Sequence, residues 1–225
     1  MRTIVRNAVV FLAFLGFGLA ANALPIAGSS SGVFQNPAGP VGMLVTGVGT
    51  NVFTWGDGAP PSSLQFNGAV GFSGTTGSPF DVGSVAYFNG AIAGGTQADS
   101  VDLAILLSFT DPAGVSQNFT YLLGLVNTTN VVGEPVASAD IVQFPSALPT
   151  ETFNVGGTLY TLGLEVGTVT GAGFSTQTTF SVLEGESATA TLRGLVTVAT
   201  VPEPGTLGLL AAGLLALGFR ARRAA

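Results

Sequence analysis

The chain has 225 residues, twelve acids, six basic side chains that are all arginine, and no histidine or cysteine, for a net charge of −6. Without histidine, lysine or cysteine there is no Ser-His-Asp or Cys-His catalysis, no common zinc ligand set, no Schiff-base amine, no P-loop lysine and no disulfide. Carboxylate chemistry is the one enzymatic option left, and stability must come from burial.

The N-terminus is built for export. Arg2 and Arg6 give a basic start, residues 8–20 an apolar run, and Ala21-Asn22-Ala23 the small-x-small pattern of a cleavage site. Residues 1–23 are therefore expected to be a signal peptide, passed to the general secretion machinery and cut by signal peptidase after Ala23. Residues 24–32, rich in Ser and Gly, read as a flexible segment, and residues 33–199 as one β-rich ectodomain. Between Leu24 and Glu203 all twelve acids face Arg193 alone, so this part carries 1 − 12 = −11. Such a body does not attract nucleic acid or anionic lipid, but it invites divalent cations.

Period-two alternation runs through the body. Val101, Leu103, Ile105, Leu107 and Phe109 alternate with more polar neighbours. After the turn Asp111-Pro112-Ala113-Gly114, Phe119, Tyr121, Leu123 and Leu125 continue on a second strand. Residues 152–155 and 158–166 flank Gly156-Gly157, a two-residue hairpin signal. Residues 178–183 and 188–198 flank Glu184-Gly185-Glu186 and read as a further hairpin. Shorter strands are expected over 43–48, 52–55, 63–72 and 80–92. No stretch of the body keeps a 3.6-residue period. About ten short strands with frequent turns predict a single antiparallel β-sandwich or jelly-roll-like domain.

The tail, residues 200–225, has a different composition. Pro202, Glu203 and Pro204 precede an apolar run over 205–219, and Arg220, Arg222 and Arg223 follow it. The run has no polar stripe, so it fits lipid better than a protein surface. As a helix it would span roughly 22 Å, short of a hydrocarbon core of about 30 Å. The arginines would stay cytoplasmic and act as a membrane stop. A short hydrophobic helix of this kind suits a temporary hold in the inner membrane.

Pro-Glu-Pro, a short apolar segment and a basic end, in that order, resemble the PEP-CTERM sorting signal of bacterial exported proteins. The resemblance implies an exosortase-type sorting enzyme as partner, with the Pro-Glu-Pro region as its recognition site. It also implies export in a Gram-negative-type bacterium, transient inner-membrane anchoring, and then the cell surface or extracellular matrix. The body resembles the choice-of-anchor K domain in Ser31-Gly32-Val33-Phe34, the segment 47–56, Phe88-Asn89-Gly90, the segment 125–130 and Glu184. That likeness implies one surface-located domain and no particular reaction.

The body offers few candidate sites. Gly47-Val48-Gly49-Thr50 lacks the following helix and lysine of a phosphate loop and reads as a bend between strands. Trp55 reads as a core or rim anchor before a sugar-stacking platform. Asp99 and Asp102 are weak calcium candidates, with Asp57, Asp81, Asp140, Asn51, Asn89 and Asn130 as further oxygen donors, although turn capping explains these residues more simply. Glu184 and Glu186 flank one glycine and are expected to be solvated. Two such neighbours rarely face the shared cleft that glycoside hydrolysis needs. Arg193 is expected to pair with an acid across strands. These features predict no catalytic residue and no required cofactor. They favour a non-enzymatic envelope or exopolysaccharide-matrix protein over a carboxylate-dependent polysaccharide-active enzyme.

Overall fold

The computed structural model describes residues 23–145, 150–176 and 178–198. These residues form β1 (Pro25–Ala38), β2 (Val45–Thr46), β3 (Val52–Trp55), β4 (Ser62–Gly68), β5 (Phe72–Thr75), β6 (Phe80–Phe88) and β7 (Ser100–Asp111). The later strands are β8 (Ser116–Val126), β9 (Asp140–Gln143), β10 (Thr150–Val155), β11 (Thr158–Gly171), β12 (Gly173–Ser175), β13 (Thr179–Val182) and β14 (Ser187–Val198). They build two seven-stranded sheets, ordered β12-β13-β9-β8-β7-β1-β5 and β10-β11-β14-β6-β4-β3-β2. Every pairing is antiparallel, and the two sheets make the expected all-β sandwich.

The sandwich follows from the alternation. Val101, Leu103, Ile105, Leu107 and Phe109 of β7 are all buried, as are Phe119, Tyr121, Leu123 and Leu125 of β8. In β14, Ala188, Ala190, Leu192 and Val196 point inward, while Thr189, Thr191 and Arg193 lie on the outer face. Aromatic rings tie the sheets together in two rows. One runs Phe34–Phe53–Trp55–Tyr87–Phe180, with centroids 5.6–6.1 Å apart, and passes from the first sheet to the second and back. The other runs Phe80–Phe72–Phe109–Phe153–Tyr160, at 5.1–5.8 Å. Such offset and edge contacts add to the area term of burial. Trp55 is therefore a core anchor, 3% exposed, and not a sugar platform.

The β10–β11 turn is as expected. Gly156 and Gly157 both take positive φ, 58° and 88°, which a two-residue primed turn requires. Gly47 and Gly49 sit in the bend between β2 and β3. Arg193 pairs with Asp81 at 3.3 Å in register across β14 and β6, exposed on the outer face.

Three expectations are corrected. Residues 27–32, read as part of a flexible segment, lie inside β1, hydrogen-bonded to β5 on one side and β7 on the other. Their small side chains reflect close packing: a Cβ on Gly32 would lie 2.7 Å from the ring of Phe66. The expected hairpin around Glu184-Gly185-Glu186 is a crossover instead. β13 belongs to the first sheet with β9 and β12, whereas β14 lies between β11 and β6 in the second. The expected strand 63–72 is broken into β4 and β5 on different sheets. Among the described residues no helix is long and apolar enough to cross a membrane. The expected tail helix over 205–219, Pro202, Glu203, Pro204, Arg220, Arg222, Arg223 and Ala21 lie outside the described residues, and Ala23 is the first of them.

Candidate functional site

One end of the sandwich concentrates the unusual chemistry. Asp140 opens β9 in phase with Val142, so its side chain shares the inward face and is only 2% exposed. Asp140 Oδ1 accepts from the Thr128 amide at 2.7 Å and faces the Thr128 hydroxyl at 3.1 Å. Val182 of β13 is its cross-strand partner, and Glu184 follows two residues later in the crossover. From the other sheet, Tyr87 of β6 is buried and reaches the same place.

Asn89, directly after β6, locks the crossover down. Its amide donates to the Glu186 carbonyl at 3.0 Å, and its carbonyl accepts from the Gly185 amide at 2.8 Å. Its Nδ2 donates to the Val182 carbonyl at 3.0 Å. The residue is fully buried, and its Oδ1 has no hydrogen-bond partner. Glu184 Oε1 is also buried and unpartnered, contrary to the expected solvation of this residue, whereas Glu186 is exposed.

The electrostatics agree with this crowding. Burial pushes the Asp140 carboxyl up from 3.8 to about 6; the two Thr128 bonds oppose the rise and Glu184 adds to it. Burial, then Asp140 and Glu184, hold the Tyr87 phenol well above its ordinary range. Asp140 is thus a group whose folded pKa exceeds its unfolded value. Its contribution to stability is complete below about pH 4 and is lost as pH rises through about 6. Asp140→Asn should therefore gain on the wild type across this window in urea unfolding. A constant difference between the two from pH 4 to pH 7 would contradict the shift.

Beside the cluster, the excursion between β8 and β9 shapes a groove of about 260 Å³ lined by Asn130, Val131, Val132, Glu134, Ser138 and Glu184, among others. Ser138 stiffens it: its hydroxyl accepts from the Val131 amide at 2.8 Å and lies 2.9 Å from the Glu134 carbonyl. Glu184 reaches the groove, while Asp140 stays behind it.

The other candidates are dispersed. Asp99 is exposed just ahead of β7, and Asp102 lies on the strand, where its Oδ2 accepts from Asn36 Nδ2 at 3.0 Å. Asp81 is taken by Arg193, Asp57 is exposed, and Asn51 donates to the Phe66 carbonyl at 3.2 Å. Among the described residues no three Asp or Glu side chains group as a metal cluster. Tyr87 and Thr128 were not picked out as site residues from the sequence. The available signal was Asp140 itself, an acid in phase with Val142 and Phe144 on an inward face.

A β-sandwich with acids gathered at one end is compatible with many roles. The segment 200–223 matches the PEP-CTERM protein-sorting motif, and this match speaks for the tail rather than the body. It marks the chain as a substrate of exosortase-type sorting, exported and held transiently at the membrane before processing. No curated protein matches the chain.

Proposed function

We propose that the protein is a non-enzymatic component of the cell envelope or exopolysaccharide matrix, delivered by its sorting segment and presenting the β-sandwich outside. The observation that carries this reading is the sorting motif at 200–223. The body acts on this reading as a choice-of-anchor K-type ectodomain, in which segment 47–56 supplies the bend after β2 and the whole of β3, with Trp55 as a core ring. Among the described residues, Asp140 is buried and bound to Thr128, and the two carboxylates that line the groove, Glu134 and Glu184, come from different loops. Glycoside hydrolysis needs both carboxyls on one substrate cleft.

The two carboxylates that share the groove, Glu134 and Glu184, give the second reading, a carboxylate-dependent polysaccharide-active enzyme, its specific support. Fractionation of the native cells together with turnover assays on the cells' own exopolysaccharide separates the two. The proposal expects the protein in the surface or matrix fraction with no turnover. Turnover abolished by Glu134→Gln or Glu184→Gln would replace it with the enzyme.

A further inference from the structure

We propose that the end of the sandwich from which the sorting tail leaves is the face set against the lipid surface while the tail is held there. The proposal rests on the transient hold that the motif at 200–223 marks, and not on the matrix role proposed above.

Strand register fixes which turns share that end. Val198, the last residue of β14, pairs with Tyr160, close behind the Gly156-Gly157 turn. The Gly77 amide, in the turn between β5 and β6, donates to the Val196 carbonyl at 2.8 Å. Leu24, just ahead of β1, exchanges two 2.9 Å bonds with Thr76 of the same turn. Ala27 pairs with Asp111, which sets the turn 112–115 beside them. The loops 56–61, 89–99 and 127–139 and the crossover 183–186 lie at the opposite end, where Ser187 pairs with Phe88 and Ala38 with Ser100.

Reach decides between the two ends. Six residues separate Val198 from Gly205, where the apolar run begins, and fully extended they span at most about 25 Å. β14 has 12 residues, roughly 40 Å of strand. Standing on the far end would lift Val198 by about that strand length, beyond what the connection can bridge. The tail end has no such difficulty.

Charge points the same way and excludes lying flat. The three tail-end turns, 76–79, 112–115 and 156–157, contain no charged residue, and Asp111 is the acid next to them. Asp57, Asp99, Glu134 and Glu186 are exposed at the far end, with Glu184 beside them. With the tail end down, these carboxylates stand roughly 40 Å from the lipid, several Debye lengths of about 8 Å away. Any tilt that lowers the far end brings them towards anionic headgroups. The small, neutral turns accept that surface without repulsion.

The chain has no cysteine, so single probes can be placed on it. Ser78→Cys, Ala113→Cys and Ala137→Cys each put one thiol at an exposed position, the first two at the tail end and the third at the far end. Each full chain, labelled with a bimane fluorophore, is reconstituted into phosphatidylethanolamine–phosphatidylglycerol vesicles carrying a headgroup spin label in both leaflets. The proposal expects the labels at 78 and 113 to lose most of their emission and the label at 137 to keep nearly all of it. Equal loss at all three positions would mean that the body lies flat, and would overturn the proposal. Loss at none of them in a chain that floats with the vesicles would overturn it too, since the body then stands clear of the lipid. A chain that does not float with the vesicles would overturn the hold itself, and the proposal with it, while leaving the matrix role standing.

Discussion

Phe66→Ala is expected to cost about 3–5 kcal/mol, the upper range for removal of a buried aromatic ring. Phe66 faces inward from β4 and is 1% exposed. Its ring lies against two glycines, one in each sheet. A Cβ on Gly32 of β1 would sit 2.7 Å from it, and one on Gly83 of β6 would sit 3.2 Å away. No neighbouring side chain at either glycine can lean into the space, so the cavity should stay open and the cost should stay near the top of the range. For a domain of this size the melting temperature should fall by roughly 6–20 °C. Phe66→Leu fills part of the space and should lose much less. Urea unfolding of the three proteins provides the check. A loss below about 1 kcal/mol for the alanine variant would mean the sheets collapse onto each other more freely than this packing allows.

Changing Arg220, Arg222 and Arg223 together to alanine should release the precursor from its membrane stop. The apolar run over 205–219 has fifteen residues, fewer than the roughly 20 that span a bilayer. On the proposed reading the three positive charges that follow it resist translocation, as the positive-inside rule expects. The variant should appear as unprocessed precursor beyond the inner membrane. The opposite fault is expected when Pro202, Glu203 and Pro204 become alanine: the stop persists, the processing enzyme loses its recognition site, and full-length protein accumulates in the inner membrane. Fractionation with immunoblotting distinguishes the two. If both variants mature like the wild type, neither the arginines nor the motif direct sorting.

Much of the body was legible because its strands are local patterns. Five apolar residues of β7 in strict alternation can only face one side, and all five are buried. Gly156-Gly157 announces its own turn, and Arg193 had only acids to pair with. What stayed hidden depends on distant partners. Residues 27–32 look like a linker because Ser and Gly dominate, and only the ring of Phe66 lying over Gly32 shows why small residues belong in a paired strand. Glu184-Gly185-Glu186 has the composition of a hairpin turn. Its role as a crossover is set by Asn89, far away in the chain, which holds both the turn and Val182. For the same reason Asp140 and Glu184 read as separate surface acids until the sheets bring them together.

On the proposed reading the sorting segment delivers the chain and the sandwich is what remains. A body charge of −11 between Leu24 and Glu203 favours self-repulsion between copies of the body. The two aromatic rows then hold the sheets together without any disulfide.

Intact mass of the protein taken from its native envelope tests the central claim most directly. The account predicts a species that begins near Leu24 and ends near Pro202 to Pro204, lacking the apolar run and the arginine end. A mature mass that still includes residues 205–225 would contradict it, and the segment would then be a lasting anchor rather than a sorting signal that is removed.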